Sequence, residues 1–469
     1  MGGRAPTLQF LGGVGTVTGS KHLVRNDGTS VMVDCGLFQG PRDLRERNRQ
    51  DPPIDPSTLD AVVLTHAHVD HCGYLPRLVA AGYRGPIFAT PTTVELARIV
   101  LPDCGHLQEE EAEYANRKGF SRHRPALPLY TEEDAWRATE QLQAIPFQQT
   151  TEVAAGVTAT LRRAGHILGS ATVELRLGSD GPAIGFSGDL GRACHPFLVP
   201  PDAPGGVDCL LIESTYGDRR HDDSDAFSRL ESIIRTTVER GGSVLVPAFA
   251  VDRTEVVLFH LAELQRAGRL PAGLPIYVDS PMALNALRVY RAALERGDAD
   301  IRAELVGQGD PFDLAGLREV LDVEESKALN RPAAPSIIIS ASGMATGGRV
   351  VHHLAHQLPE SLNTVLLVGF QAQGTRGRQL LDGCRELKMV GRYVPVRAQI
   401  VDLPAFSVHA DSAELSAWVD RTPTVPDTIF VVHGEPAASA ALAASLSQLA
   451  GRVAVVPRHG ERVRLDRLT

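Results

Sequence analysis

THAHVDHCG, residues 65–73, places three histidines and one aspartate within six positions. The apolar run DAVVL precedes it and the helix-like LPRLVAAG follows it, so the motif occupies a loop after a buried strand. Imidazole nitrogen and carboxylate oxygen are zinc ligands, and one loop can turn several such side chains toward one point. The sequence therefore predicts a metal site that includes His66, His68, Asp70 and His71.

Three more candidate ligands lie at the ends of other predicted strands. They are His166 in GHILGS, Asp189 in SGDLG and His433 in VVHGE. A carboxylate can be shared between two cations, and Asp189 suits that role. Taken singly, His166 or Asp189 could equally be a loop residue that caps a turn. Together with residues 65–73 they favour metal ligation.

Composition indicates a globular protein without a membrane span. The chain has 469 residues, which is long for one domain, and 43% of them are hydrophobic. The N-terminus has no signal-peptide pattern, so we expect a cytoplasmic protein. The six cysteines form no CxxC pair, which argues against a disulfide framework. The net charge of −9 disfavours nonspecific coating of nucleic acid but is compatible with a local basic groove.

The pattern of predicted secondary structure changes twice along the chain. Short strands and turns fill the first two hundred or so residues, and short strands return after about Arg397. Between them, from about Asp218, apolar strands alternate with helices, which predicts a parallel sheet with helices on both faces. The charged run RDLRERNR, residues 42–49, is interpreted as a solvated face rather than an RNA contact.

The motifs resemble a known family. HAHVDH, with Asp34 before it and His166 and Asp189 after it, looks like the signature of the metallo-β-lactamase superfamily. The later blocks resemble its β-CASP branch, which processes nucleic acids. The matching stretches are IESTYGDR with Glu213, FSVHAD with His409, VVHGE with His433, VPAFAVDRTEVVL, DSPMA, SASGMATGGR and GFQAQGTRGRQL.

The resemblance implies an α/β architecture. An αββα metallo-β-lactamase sandwich would comprise residues 1–215 and 397–469. A β-CASP domain with a parallel sheet would be inserted at residues 216–396. The changes of pattern near Asp218 and Arg397 agree with that division.

The resemblance also assigns roles at the metal site. His66, His68 and His166 would hold one zinc ion, and Asp70, His71 and His433 the other, with Asp189 bridging. Asp34 would orient a ligand or the bridging water, because a metal-bound histidine needs a partner for its other ring nitrogen. Glu213 would do the same for His433. Manganese would fit the same ligands.

The implied activity is hydrolysis of single-stranded RNA by a two-metal mechanism. Two zinc ions lower the pKa of a water molecule and neutralise phosphate oxygens, so cleavage would leave a 5′-phosphate and a 3′-hydroxyl. His409 is the candidate general acid, since histidine titrates near neutral pH. Its alternative is a capping role before the helix DSAELSAWV.

Two loops are candidate phosphate contacts. Small residues in SASGMATGG would let backbone N–H groups of Ser342, Gly343 and Met344 approach a phosphate. A tight structural turn is the alternative. In GFQAQGTRGR, Arg376 or Arg378 could pair with a second phosphate.

The same motifs can be compared with the patterns expected for other functions. A small-molecule hydrolase would not need the long insertion between Glu213 and His409. A DNA nuclease of the same branch typically has valine at the position of His433. An inactive scaffold would have lost ligands, and a di-iron protein would carry an acidic residue at the position of His68.

The choice between endonuclease and exonuclease action stays open. The expected partners are single-stranded RNA and no membrane, with the chain a monomer or a homodimer.

Overall fold

The computed structural model describes residues 5–119, 121, 123–222, 224–448 and 452–465. The chain divides into two compact units. Unit 1 comprises the described residues up to Arg220 and from His409 onward. Unit 2 comprises the described residues between His221 and Val408.

Within the described residues, unit 1 contains two seven-stranded sheets. The strands of the first sheet are β1 (Thr7–Gly12), β2 (Lys21–Asn26), β3 (Thr29–Val33), β4 (Ala61–Val63), β5 (Ile87–Ala89), β6 (Leu142–Ala144) and β22 (Arg462–Arg464). The strands of the second are β7 (Thr150–Ala154), β8 (Val157–Arg163), β9 (Ala171–Leu177), β10 (Ala183–Phe186), β11 (Cys209–Ile212), β20 (Thr428–Val431) and β21 (Ala454–Val455).

Both sheets change from antiparallel to parallel pairing. The first has the order β22-β1-β2-β3-β4-β5-β6, and its pairs are parallel from β3 to β6. The second has the order β21-β20-β11-β10-β9-β8-β7, and its pairs are parallel from β10 to β21. Parallel strands end at the same edge of a sheet, so the loops that follow them are brought together.

The two sheets of unit 1 enclose one apolar core. Side chains from β1, β3 and β4 pack there against side chains from β8, β9 and β10. Burial alternates along β8, as expected for a strand with one face on the core. The other face of the second sheet packs against Leu415, Trp418 and Leu442 from two helices. The predicted αββα sandwich is therefore confirmed.

The helices of unit 1 begin and end at recognisable signals. They are α1 (Arg42–Arg47), α2 (Val69–Cys72), α3 (Leu75–Ala80), α4 (Pro91–Lys118), α5 (Glu132–Thr139), α12 (Ser412–Val419) and α13 (Pro436–Ser447). The Thr90 side chain caps the first turn of α4, and Gly119 ends that helix in the left-handed conformation. No helix in the described ranges combines the length and apolarity needed to cross a bilayer.

Unit 2 is built on a parallel sheet of six described strands, as predicted. Its strands, in the order β14-β13-β15-β12-β16-β19, are β12 (Val244–Ala248), β13 (Ile276–Val278), β14 (Leu317–Glu319), β15 (Ile337–Ala341), β16 (Thr364–Leu367) and β19 (Gln399–Asp402). A separate hairpin joins β17 (Glu386–Met389) to β18 (Arg392–Pro395). The helices are α6 (Ala226–Glu239), α7 (Arg253–Arg266), α8 (Pro281–Arg296), α9 (Val323–Ala328), α10 (Arg349–Gln357) and α11 (Arg376–Leu381). Every residue of β12 is buried, as in a sheet covered on both faces.

The second unit extends beyond the boundary expected at residue 396. Strand β19 pairs in parallel with β16, so residues 399–402 belong to the sheet of unit 2. The Arg253 guanidinium donates to the carbonyl of Phe406 and ties the following turn to the same unit. The sequence signal near Arg397 is a return to short strands, which does not reveal the sheet that a strand joins.

Candidate metal centre

The predicted ligands of unit 1 follow strands whose carboxyl ends meet at one edge of each sheet. Asp34 follows β3, His66 and His68 follow β4, His166 follows β8, Asp189 follows β10, Glu213 follows β11 and His433 follows β20. Asp70 and His71 lie in the short helix α2, directly after the loop of His68. This arrangement explains how residues far apart in sequence converge.

One group of donors, called site 1, contains His66, His68, His166 and Asp189. The Nδ1 atom of His68 lies 3.1 Å from Nε2 of His66 and 3.2 Å from Nε2 of His166. Asp189 Oδ2 lies 3.6 Å from the Nε2 atoms of both His66 and His166. Four donor atoms therefore surround one small volume.

A second group, called site 2, contains Asp70, His71 and His433, with the other oxygen of Asp189. The Nε2 atoms of His71 and His433 are 3.2 Å apart, and Asp70 Oδ2 lies 3.6 Å from His433 Nε2. Asp189 Oδ1 lies 3.3 Å from His71 Nε2 and 3.2 Å from His433 Nδ1. Asp189 thus presents one oxygen to each site.

These separations fit a tetrahedral metal. With ligand bonds of about 2.0–2.1 Å, two tetrahedral ligands lie roughly 3.3–3.4 Å apart. The measured donor separations, 3.1–3.6 Å, span that value. The donors are imidazole nitrogens and carboxylate oxygens without a thiolate, which suits zinc and also manganese. Both sites can hold a metal ion.

The histidines of the two sites differ in the direction of their pKa shifts. Burial holds the pKa of His66 well below its usual value, so its nitrogen keeps a free lone pair. Burial acts on His71 as well, but the carboxylates of Asp189 and Asp34 outweigh it and hold the pKa of His71 well above the usual value. The pKa of His433 is raised in the same way by Asp189. A cation entering site 2 must therefore displace protons.

Two residues of the centre have left-handed backbone. The φ angle is +59° at Asp34 and +47° at His433, a region that non-glycine residues rarely adopt. The backbone N–H of His433 donates to the carbonyl of Gly13 at 2.6 Å, and its own carbonyl accepts from Ser214 at 3.1 Å. Neighbouring strands hold the strained conformation, as is common at functional sites.

Asp34 orients His71. The Nδ1 atom of His71 donates to Asp34 Oδ2 at 2.7 Å, which leaves Nε2 to face site 2. Asp34 Oδ1 accepts the backbone N–H of Thr65 at 2.8 Å, and the Thr65 hydroxyl donates to the same carboxylate. The carboxylate is thereby fixed on both sides, which agrees with the role expected for Asp34.

Glu213 lies beside His409, and it also forms a donor group with Asp189 and His433, whose atoms lie within 4.8 Å of one another. Its Oε1 atom is 3.4 Å from His409 Nδ1 and accepts the backbone N–H of Leu190 at 2.7 Å. The side chain that contacts His433 Nδ1 at 3.4 Å, besides Asp189, is the hydroxyl of Thr215. Glu213 and His433 follow neighbouring parallel strands, which explains why the Glu213 carboxylate lies near His433 as well as His409.

His409 lies at the mouth of site 1. Its Nδ1 atom is 4.0 Å from Asp189 Oδ2, and its ring centroid is 4.4 Å from that of His166. The His409 side chain is 14% exposed, whereas Asp189 is 2% exposed, so His409 can meet a molecule that approaches from solvent. The N-cap of α12 is Asp411 and not His409, which removes the capping alternative.

The predicted phosphate loop of unit 2 is a tight turn. Ala345 N–H donates to the Ser342 carbonyl, and the Ser342 hydroxyl contacts Thr346 at 2.9 Å. Gly343 packs so close to Phe249 that a Cβ atom there would lie 2.5 Å from the ring. The turn leads into α10 after Gly348. It is a structural turn and also places backbone N–H groups before a helix.

The two candidate arginines have different surroundings. Arg376 donates to the carbonyls of Ala345 at 3.1 Å and Thr346 at 2.9 Å, so its guanidinium supports the turn. Arg378 pairs with Asp382 one helical turn away at 2.9 Å. Neither group is held ready for a phosphate in this arrangement.

Sequence reasoning missed two supporting hydroxyls and a lysine. Thr65 and Thr215 each adjoin a recognised motif residue, and that adjacency was the available signal. Lys21 is buried in TGSKH, where its ammonium donates to the carbonyl of Gly36 and lies 4.6 Å from the rings of Phe38 and Tyr74. Burial lowers the pKa of Lys21 to about 8.

Three family models match the sequence. The model described as metallo-beta-lactamase superfamily matches residues 15–83, and the Beta-Casp domain matches residues 254–380. A model described as Zn-dependent metallo-hydrolase RNA specificity domain matches residues 393–457. The three matches lie in the order expected from the motifs.

The chain also resembles known proteins over nearly its whole length. It is 37% identical to ribonuclease TTHA0252 of Thermus thermophilus, over 97% of this chain and 98% of that protein. It is 31% identical to the transcription termination factor FttA of Methanocaldococcus jannaschii, over 98% of this chain and 71% of that protein. A crystal structure of a protein of unknown function from Enterococcus faecalis V583 has the same fold, with a TM-score of 0.53 and 16% identity over 98% of this chain and 100% of that one.

Proposed function

The chain belongs to the β-CASP branch of the metallo-β-lactamase superfamily, and on that premise we propose that it is a zinc-dependent ribonuclease. It hydrolyses phosphodiester bonds of single-stranded RNA and leaves a 5′-phosphate and a 3′-hydroxyl. The observation that carries this proposal is the position of Asp189, whose two oxygens face two separate donor groups. The ribonuclease named above, similar end to end, supports RNA as the substrate.

The residues present fit two zinc ions. His66, His68 and His166 would hold one ion, Asp70, His71 and His433 would hold the other, and Asp189 would contribute an oxygen to each site. When bound, the ions supply Lewis-acid chemistry: they neutralise phosphate oxygens and lower the pKa of a water molecule that attacks phosphorus. Manganese is the alternative occupant of the same donors.

The protein's own residues supply the proton and the orientation. His409 donates a proton to the leaving 3′ oxygen, since it is the partly exposed histidine next to both Asp189 and Glu213. Glu213 holds the ring of His409 through Nδ1. Asp34 holds His71 with Nε2 toward site 2, and Asp70 adds a carboxylate oxygen 3.6 Å from His433 Nε2.

The turn at Ser342, Gly343 and Met344 contacts RNA phosphate through backbone N–H groups before α10. Arg376 acts there by supporting the turn, because its guanidinium is bonded to the carbonyls of Ala345 and Thr346. Arg378 contributes to the local positive field, although Asp382 screens it. Phosphate binding at this turn therefore depends on main-chain geometry more than on arginine charge.

The test is cleavage of matched 5′-labelled single-stranded RNA and DNA by the purified protein. The protein is used as isolated, after metal stripping, and after restoration with zinc or with manganese. We expect RNA cleavage that stripping abolishes and zinc restores, with 3′-hydroxyl ends. The product ladder separates endonuclease from exonuclease action. Cleavage of DNA alone, or of neither polymer after metal restoration, would refute the proposal.

A further inference from the structure

The outer face of the first sheet carries a set of arginines at its β22 edge. Residues Leu8, Phe10 and Val24 point into the core between the sheets, so alternate residues of β1 and β2 point outward. Register places Thr7 between Arg25 and Arg464, and Gln9 between Leu23 and Arg462. Arg25, Arg462 and Arg464 therefore share one face across three neighbouring strands.

Two of these cations are held side by side by a neutral group. The amide oxygen of Gln9 accepts from Arg25 Nη1 at 3.3 Å and from Arg462 Nη2 at 3.1 Å. Burial and the neighbouring charge of Arg462 lower the pKa of Arg25. A shared amide oxygen positions the two guanidinium groups but does not neutralise either charge.

The positive charge continues beyond the strands. Arg47 lies over the Phe38 ring, 5.5 Å from its centroid, and the exposed ring of His459 meets the edge of the same ring at 6.3 Å. Burial, together with Arg47 and Lys21, lowers the pKa of His459. We call Arg25, Arg47, His459 and Arg462 the β22 basic face.

The β22 basic face lacks carboxylate partners in the part of the chain that the structure describes. Arg25, Arg47 and Arg462 form no ion pair there, in contrast to Arg42, which pairs with Glu46 at 2.5 Å. The nearby carboxylate of Glu461 accepts the backbone N–H of Arg458. The protein as a whole carries a net charge of −9, so uncompensated cations in one place depart from its average. A polyanion would relieve their mutual repulsion.

Strand β1 runs from this face to the edge of the sheet where the metal ligands lie. The carbonyl of Gly13, one residue past β1, accepts the backbone N–H of the site-2 ligand His433. Gln9 lies four residues back along the strand and Thr7 six residues back. At about 3.4 Å per residue, these positions are roughly 14 and 20 Å from the edge where the metal ligands stand. An RNA strand bound at the metal centre can reach the β22 basic face only if the RNA continues past the cleaved bond.

We propose that single-stranded RNA extending beyond the metal centre lies on the β22 basic face, with its phosphates on Arg25, Arg47 and Arg462. The inference rests on the proposed ribonuclease function. The contacts are to the backbone, so they add affinity for long substrates without sequence preference. His459, exposed beside these cations, offers a ring on which a base can stack.

The test compares the wild-type holoenzyme with R25E/R462E. Binding is measured with a phosphorothioate-linked single-stranded RNA of about 20 nucleotides, which keeps its charge and resists hydrolysis. We expect at least a tenfold rise in Kd. The slope of log K against log salt concentration should become less steep by about 1.4 or more. Hydrolysis of bis(p-nitrophenyl) phosphate, which is too small to reach the face, should be unchanged.

Two matched variants control for charge and fold. R25K/R462K keeps both positive charges and should bind the RNA nearly as well as the wild type. R98E makes one such charge reversal at an exposed arginine of α4, which packs at the opposite, β6 edge of the sheet, and should leave binding unchanged. Equal RNA affinity of R25E/R462E and the wild type would overturn the proposal. Loss of binding to phosphatidylserine vesicles with RNA affinity intact would overturn it too and reassign the face to membranes.

The readouts separate this inference from the proposed function. Failure of the wild type to cleave RNA or the small diester would refute the ribonuclease function alone. The binding measurement would still decide whether the β22 basic face holds RNA, because it requires no turnover.

Discussion

His409 Nδ1 lies 3.4 Å from Glu213 Oε1, and the same oxygen accepts the backbone N–H of Leu190 at 2.7 Å. Because the main chain fixes the carboxylate, the carboxylate in turn fixes the imidazole ring. Nδ1 is engaged in this contact, so the proton transfer we propose uses Nε2. The relationship makes Glu213 a positioning residue for the general acid.

The first prediction concerns that pair. His409→Ala should lower kcat on RNA by about 10²- to 10⁴-fold while both metals stay bound, because His409 supplies a proton and no ligand. Glu213→Gln should cause a smaller loss. In the double variant the losses should not add, because Glu213 acts through His409. Steady-state kinetics with metal analysis of each protein makes the check; full activity of His409→Ala would remove it from the mechanism.

The second prediction separates the two metal sites. Asp189→Ala should lose metal from both sites, since its two oxygens face different donor groups. Asp70→Ala should lose the metal of site 2 and keep that of site 1, because Asp70 belongs to the donor group of His71 and His433 and not to the donor group of site 1. Elemental analysis after dialysis measures both. Normal metal content in Asp189→Ala would contradict the bridging role.

The third prediction distinguishes the two arginines of unit 2. Arg376→Ala removes donors from the carbonyls of Ala345 and Thr346, so amide exchange at residues 342–348 should become faster and RNA affinity should fall. Arg378→Ala removes an exposed pair with Asp382 and should change stability by less than about 0.5 kcal/mol. Hydrogen–deuterium exchange of both variants is the measurement. Equal exchange in the two would show that Arg376 does not support the turn.

The fourth prediction is a pH dependence set by Lys21. Its pKa is about 8 when folded, below the ordinary 10.5, because burial disfavours the ammonium. Between these values the unfolded chain binds more protons, so Lys21 makes the free energy of unfolding rise with pH there, by about 3 kcal/mol in full. Relative to Lys21→Met, the wild type should therefore gain stability from pH 8 to pH 10.5. Urea titrations across that window test this, and a constant difference would contradict it.

The predicted ligands lie together because they follow strands that end at one edge of each sheet. In residues 65–73 the ligands are local. Asp189 and His433 follow strands β10 and β20, which both pair in parallel with β11, and His166 follows β8, which runs in the same direction as β10 because both pair antiparallel with β9. The parallel sheet of unit 2 follows from the alternation of strands and helices, whereas the αββα sandwich was implied by the family resemblance.

Side-chain partners could not be predicted with the same success. The contact of Glu213 with His409 depends on the bridge between Gly191 and His409, which joins distant segments of the chain. The role of Arg376 depends on how near the turn at residue 345 lies. The sequence did not indicate the β22 basic face, because sheet register joins Arg25 and Arg462, whereas Arg47 lies in α1, within a run interpreted as a solvated face, and is placed there by its contact with Phe38.

The Nε2 atoms of His71 and His433 are 3.2 Å apart, and this proximity has a consequence during synthesis of the chain. A ribosome makes His71 early, then all of unit 2, and only afterwards β20 and His433. A nascent chain thus lacks His433, one of the four donors of site 2, until unit 2 has emerged. The nuclease we propose is therefore inactive during most of its own translation, when the nearest RNA is its own mRNA.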